Sequence, residues 1–185
     1  ETAISCVEQD SLRYRGYAID ELAAHASFEE VAWLLLHGAL PTATELDGLR
    51  RELDVHRALP VPVLAAVRAL PREAAMMDVL RSGVSLLAHY GPADAPQRDA
   101  VRLLGAIPSL IAARLRMAGG GEPPPPRPGL GHAAQFLYLA GGQEPSELAA
   151  RVLNLTLVLY AEHEFNASTF AARVCASTGS DLYSA

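Results

Sequence analysis

Half of the 185 residues are hydrophobic, and 21 acidic side chains outnumber 15 basic ones for a net charge of −6. That composition can fill a sizeable core in one domain or a large part of one, and it excludes an electrostatic pull toward nucleic acid or an anionic membrane. Arg, Glu, His or Pro interrupts every apolar run well short of the roughly 20 residues a membrane span requires. Cys6 and Cys175 lie at opposite ends of the chain, with neither a disulfide framework nor metal-ligand spacing. No signal-peptide pattern opens the sequence, so a reduced, cytoplasmic protein without a metal site is expected. All 15 basic residues are arginine, a bias that fits a GC-rich genome and carries no functional meaning.

Residues 1–17 differ from the remainder. Thr2–Val7 and Ser11–Tyr17 are β-prone and joined by Glu8-Gln9-Asp10, which predicts a small hairpin. Arg13 and Arg15 flank Tyr14 on the second strand and share a face, where they suit structural or interface salt bridges. From residue 18 to 185 the pattern is helical. Ile19, Leu22 and Ala23 open it. Ser27 with Glu30, and Thr42 with Glu45, form two capping boxes, and Gly38 stops the helix between them. Pro60 and Pro62 start a shorter helix that Pro71 ends. The next is expected over about Ala74–Tyr90, with Met77, Leu80, Val84 and Leu87 on its buried face and Gly91-Pro92 closing it. Arg81 on this helix is expected to be partly buried and paired with Asp78.

A long helix follows over about Ala95–Ala118, with Pro108 predicted to interrupt and kink it. Gly119–Pro128 holds four consecutive prolines and reads as an exposed polyproline II loop. Helices over about Leu130–Leu139, Ser146–Glu164 and from Ala167 onward complete the chain. The run Ser177–Ala185 reads as a capped helix just starting at Ser180 or Asp181, so the chain is expected to be a fragment. No repeat of fixed period occurs. The expected class is all-α: a multi-helical domain with a small N-terminal β-hairpin.

The segment Ala161-Glu162-His163-Glu164-Phe165-Asn166-Ala167-Ser168-Thr169 carries the candidate chemistry. It follows an apolar helix, with Leu153, Leu155, Leu157, Val158 and Leu159, that reads as buried on most sides. His163 stands where this helix ends and the next begins. Asn166 or Ser168 can cap the second helix, whose free N–H groups and dipole favour an anion. A histidine beside that N-terminus can donate to the same anion. The plainer reading has Asn166 and Ser168 as caps alone, with His163 bonded to a backbone carbonyl. Glu162 and Glu164 point apart at i, i+2, and one of them suits a neighbouring arginine. His25, His37, His56, His89 and His132 read as surface or helix-end residues.

Leu159–Arg173, which spells Leu-Tyr-Ala-Glu-His-Glu-Phe-Asn-Ala-Ser-Thr-Phe-Ala-Ala-Arg, closely resembles the citrate synthase family. So do Leu12-Arg13-Tyr14-Arg15-Gly16-Tyr17, Leu34–Thr42 and Met77-Asp78-Val79-Leu80-Arg81, in family order and over nearly the whole chain. Ala75-Met76 departs from the His-Pro common in the family before the last of these runs. The resemblance implies an all-α, citrate-synthase-like large domain represented by its N-terminal portion (residues 1–185), with the small domain and C-terminal catalytic part absent. It implies condensation of oxaloacetate with acetyl-CoA and release of citrate and CoA, without a cofactor, by a homodimer. His163 would donate a hydrogen bond to oxaloacetate, with Asn166 and Ser168 in the same pocket wall. The enolate-forming aspartate, two further histidines and the substrate-clamping arginines of the family fall beyond Ala185, so no catalytic residue is expected in this chain. 2-Methylcitrate synthase, using propionyl-CoA, fits the same motifs. A non-catalytic half-domain that dimerises or completes a split enzyme is the alternative of another class.

Overall fold

The computed structural model describes residues 2–91, 95–164 and 166–185. Three short strands, β1 (Ser5–Glu8), β2 (Ser11–Tyr14) and β3 (Tyr17–Ala18), form an antiparallel sheet in that order. Cys6 pairs with Arg13 and Tyr14 with Tyr17. The hairpin therefore acquires a third strand. Arg15 and Gly16 both have positive φ, +50° and +92°, as a two-residue type I′ turn requires. Arg15 thus leaves the strand and does not share a face with Arg13. Both arginines bind main-chain carbonyls: Arg13 that of Gly16, and Arg15 that of Leu35 at 2.9 Å.

Nine α-helices follow among the described residues: α1 (Ile19–His25), α2 (Phe28–His37), α3 (Ala43–His56), α4 (Val61–Ala69), α5 (Met76–Leu87), α6 (Pro96–Ala118), α7 (His132–Gly141), α8 (Glu147–Leu159) and α9 (Ala167–Ser177), with a 3-10 turn over Ala88–Tyr90. Both capping boxes form with reciprocal bonds, and Gly38 ends α2 in the left-handed region at φ +89°, where a Cβ is disfavoured. These ends are local devices, so sequence spacing alone locates them.

The long helix α6 is the spine. It contacts α3, α4, α5 and α7, and Leu110, Ala112 and Ala113 are buried along it. It continues as one helix through Pro108, contrary to the expected interruption. A proline there forfeits one intrahelical bond, and packing on several sides of the spine outweighs that loss. Small residues bring neighbours close. A Cβ on Gly83 would meet Leu110 Cδ2 at 2.4 Å, and one on Gly105 would meet His56 Cβ at 3.0 Å.

The main cluster joins Val63, Val67, Val79, Leu87, Ala106 and Leu110 to Tyr183. Each fully buried Val or Leu contributes about 2 kcal/mol. On α5 the buried positions are Val79, Gly83 and Leu87, while Met77 is exposed. The buried stripe is therefore rotated from the predicted one, because Gly83 lets α6 approach on that side. Arg81 pairs with Asp78 at 2.9 Å as predicted, but both side chains are exposed. Pro123, Pro124 and Pro126 are half-buried against a cleft shared with Leu59, Leu64 and Leu139, so the proline loop covers the core edge and is not a free spacer.

Helix α8 leans on α1, α2 and α7 and buries only Val158. Leu148, Val152 and Leu159 remain exposed, so α8 is covered on one side and not on most. Helix α9 has no buried residue. His132 is buried at the start of α7 beside Phe28, and its N–H donates to the buried Glu29 carboxylate at 2.8 Å. It is a helix-end residue as predicted, but an interior one. Among the described residues no helix is long and apolar enough to cross a membrane.

Candidate functional site

The junction of α8 and α9 is where the candidate residues meet. Helix α8 is capped by Ser146 and runs apolar to Leu159. The chain then turns and re-enters a helix at Asn166, whose Oδ1 accepts the Thr169 N–H at 2.6 Å. Asn166, and not Ser168, is therefore the cap. Ser168 lies exposed at the second position of α9. In an α-helix the first N–H groups have no intrahelical acceptor, so the N–H groups of Ala167 and Ser168 face outward from α9 with the positive end of its dipole.

His163 is exposed at the mouth of this terminus, with Nε2 3.4 Å from Asn166 Nδ2. The Thr169 bond fixes which end of the Asn166 amide is oxygen, so its NH2 group faces the imidazole. An amide NH2 only donates, so in this contact Nε2 takes the acceptor role, weakly at this distance, in the tautomer that carries its proton on Nδ1. That leaves an Nδ1–H donor available to an anion or a carbonyl oxygen. The structure thus brings His163, Asn166 and Ser168 together at one helix start, with His163 directed to Asn166 in place of the carbonyl contact of the plainer reading.

The turn itself is tied to the sheet. Glu164 has φ +73°, uncommon and strained for a residue with a side chain. Its Oε1 accepts the Val7 N–H at 3.1 Å, and its own N–H donates to Glu162 Oε2 at 2.6 Å. The main chain of β1 and of the turn therefore engages these carboxylates, where an arginine partner was expected for one of them. Tyr14, fully buried, brings its hydroxyl within 2.8 Å of the Glu162 carbonyl and 3.3 Å of the Glu162 N–H. Burial pushes the phenol above its ordinary pKa, so it stays a donor. Tyr14 was read in the sequence only as a strand residue between arginines. A buried tyrosine needs a partner, but that partner lies 148 residues away.

Elsewhere, a cleft of about 550 Å³ between α1, α7 and α8 is lined by Glu29, His132, Arg151 and Asn154. An apolar cleft of about 300 Å³ lies among α2, α6, α7 and α8. His163 lines neither. The described residues contain no cluster of three or more His, Cys, Asp or Glu side chains able to hold a metal ion.

The whole chain, residues 1–185, matches the family model for the citrate synthase C-terminal domain. It is similar to citrate synthase 2 of Bacillus subtilis, 40% identical over 99% of this chain and 51% of the relative. It is equally similar to the 2-methylcitrate synthase of Shewanella oneidensis, 42% identical over 100% and 51%. Among solved structures, citrate synthase from Pyrobaculum aerophilum superposes with a TM-score of 0.95 at 39% identity, over all of this chain and 50% of that one. The Thermoplasma acidophilum citrate synthase, solved as a ternary complex with carboxymethyl coenzyme A and oxaloacetate, superposes at 0.93 and 29% identity with the same coverage. The chain spans about half the length of the relatives it matches. The helical fold and the Leu159–Arg173 segment agree with that likeness, and the chain belongs to the citrate synthase family.

Proposed function

We propose that this chain is the oxaloacetate-binding, N-terminal part of the large domain of a citrate synthase, which condenses oxaloacetate with an acyl-CoA. The observation that carries this reading is the His163 imidazole held beside Asn166 at the start of α9. Its Nδ1–H donates to oxaloacetate, while the outward N–H groups of Ala167 and Ser168 favour a substrate carboxylate. Asn166 orients the imidazole, and the Ser168 hydroxyl supplies a further polar contact in the same wall.

In the reaction an acetyl methyl carbon loses a proton to a base, and the resulting enolate carbon attacks the ketone carbon of oxaloacetate. Water then cleaves the thioester to release citrate and CoA. His163 binds and orients the acceptor, and orientation alone contributes substantially to such a condensation. The base and the enolate donors come from residues beyond Ala185, so the 185-residue chain alone has no turnover. No cofactor takes part, since the acyl-CoA is itself a substrate.

A second reading, 2-methylcitrate synthesis from propionyl-CoA, is favoured by the equal likeness to both kinds of relative. The partner is a second copy of the chain. Leu148, Val152, Leu159, Tyr160, Phe170 and Val174 are exposed along α8 and α9, apolar positions that suit a subunit contact. The free thiols of Cys6 and Cys175 fit a reducing, cytoplasmic compartment.

The test is CoA-thiol release by the intact protein with oxaloacetate and either acetyl-CoA or propionyl-CoA. Turnover with one or both supports the reading, and the ratio of kcat/KM values assigns the acyl group. An intact, folded protein that binds its own copy yet turns over neither acyl-CoA overturns it in favour of a non-catalytic assembly module.

A further inference from the structure

The run Leu12–Tyr17 contributes nothing to the candidate pocket directly, yet its central side chain reaches the residue next to His163. Tyr14 is fully buried with Leu22, Val31, Leu34 and Val158. Its hydroxyl has one hydrogen, and of three carbonyls within reach the Glu162 oxygen is nearest, at 2.8 Å against 3.2 Å for Val158 and Leu159. The Tyr14 hydroxyl oxygen in turn accepts the Glu162 N–H at 3.3 Å. One hydroxyl therefore holds both peptide groups of a single residue. On the other side of His163, Glu164 sits at φ +73° and is tied to Val7 of β1. A strained residue of this kind persists only where its surroundings over-determine it.

We propose that Tyr14 is a positioning residue for oxaloacetate binding, acting through Glu162 to set the place and direction of the His163 imidazole, with the Glu164–Val7 bond as the second tether. The inference rests on the oxaloacetate reading of His163. The N-terminal sheet is then a brace for the substrate histidine. It fixes a turn that, among the described residues, is half-buried except at His163 and that follows α8, covered on one side, and precedes α9, which has no buried residue. Loss of a fraction of an ångström in such a donor weakens the one contact it makes and leaves contacts to the other substrate untouched.

The experiment is steady-state kinetics on the intact protein with Tyr14→Phe, which keeps the buried ring and removes only the hydroxyl. The expected result is a rise of about tenfold in KM for oxaloacetate, with KM for the acyl-CoA within twofold of wild type. Glu164→Ala, which cuts the tie to β1, is expected to raise the same KM about threefold. It keeps the inference testable if Tyr14→Phe does not fold. His163→Ala separates the two levels. If His163→Ala raises the oxaloacetate KM while the folded Tyr14→Phe and Glu164→Ala proteins do not, the positioning role is overturned and the oxaloacetate reading stands. If His163→Ala itself leaves that KM unchanged, the reading of the site is wrong and the inference goes with it. A fall in melting temperature with equal changes in both KM values marks Tyr14 as structural only and also overturns the role.

Discussion

Acid should destabilise the fold through His132, and the size of the effect follows from its surroundings. The ring is 5% exposed, packs at a tilt against Phe28, and leaves Nδ1 without a partner among the described atoms. Its pKa is pushed down to about 4, first by burial, with Arg57 adding to the fall and Glu29 opposing it. The unfolded chain binds a proton near 6.5, an ordinary histidine value, and the folded chain does not until about 4. The unfolded state therefore holds more protons across that window, so stability is full above pH 6.5 and declines as the pH falls toward 4. Between pH 7.5 and 5 the two-pKa linkage removes about 2 kcal/mol. His132→Leu keeps the volume and abolishes the titration. Urea unfolding of both proteins at pH 7.5 and pH 5 should show the wild type losing about 2 kcal/mol more than the variant. Equal losses would refute the placement of a neutral histidine in the interior.

Other substitutions probe separate parts of the structure. Gly83→Ala should lower stability by about 1–3 kcal/mol in thermal melts despite its better helix propensity, because the new Cβ meets the buried Leu110 and overpacks the α5–α6 contact. Arg114→Met should cost about 3 kcal/mol or more by chemical denaturation. Its guanidinium serves the carbonyls of Val67, Leu70, Pro71 and Arg72 at the end of α4, and these would be orphaned. Asn166→Ala should remove the α9 cap for about 1 kcal/mol and also raise the oxaloacetate KM, whereas Asn166→Asp should restore the melting temperature but not the KM.

The parts legible in the sequence were those decided over a few residues. Ser27 with Glu30 and Thr42 with Glu45 bond as their spacing predicts, and Asn166 starts a helix where a cap was expected. Asp181 likewise accepts the Ser184 N–H at 2.8 Å, in a first turn closed by the Ala185 N–H. What failed depended on distant partners. Met77 faces outward because Gly83 draws α6 to another side of α5. His132 is interior because Glu29, over a hundred residues earlier, meets its N–H. Helix α8 read as buried because apolar composition does not distinguish a core helix from one awaiting a partner surface. At the candidate site, His163, Asn166 and Ser168 were singled out by spacing and resemblance. Tyr14 and the Val7–Glu164 bond were not, since a pairing across about 150 residues leaves no periodic trace.

Calorimetric titration of oxaloacetate into the intact protein and into His163→Ala tests the central claim most directly. Loss of a hydrogen bond between the imidazole and a charged substrate should weaken binding about tenfold to a hundredfold while the variant's melting temperature stays near that of wild type, as the exposed position of His163 requires. Equal affinity in the two proteins, or no binding by the wild type, would contradict the assignment of this helix junction as the oxaloacetate site.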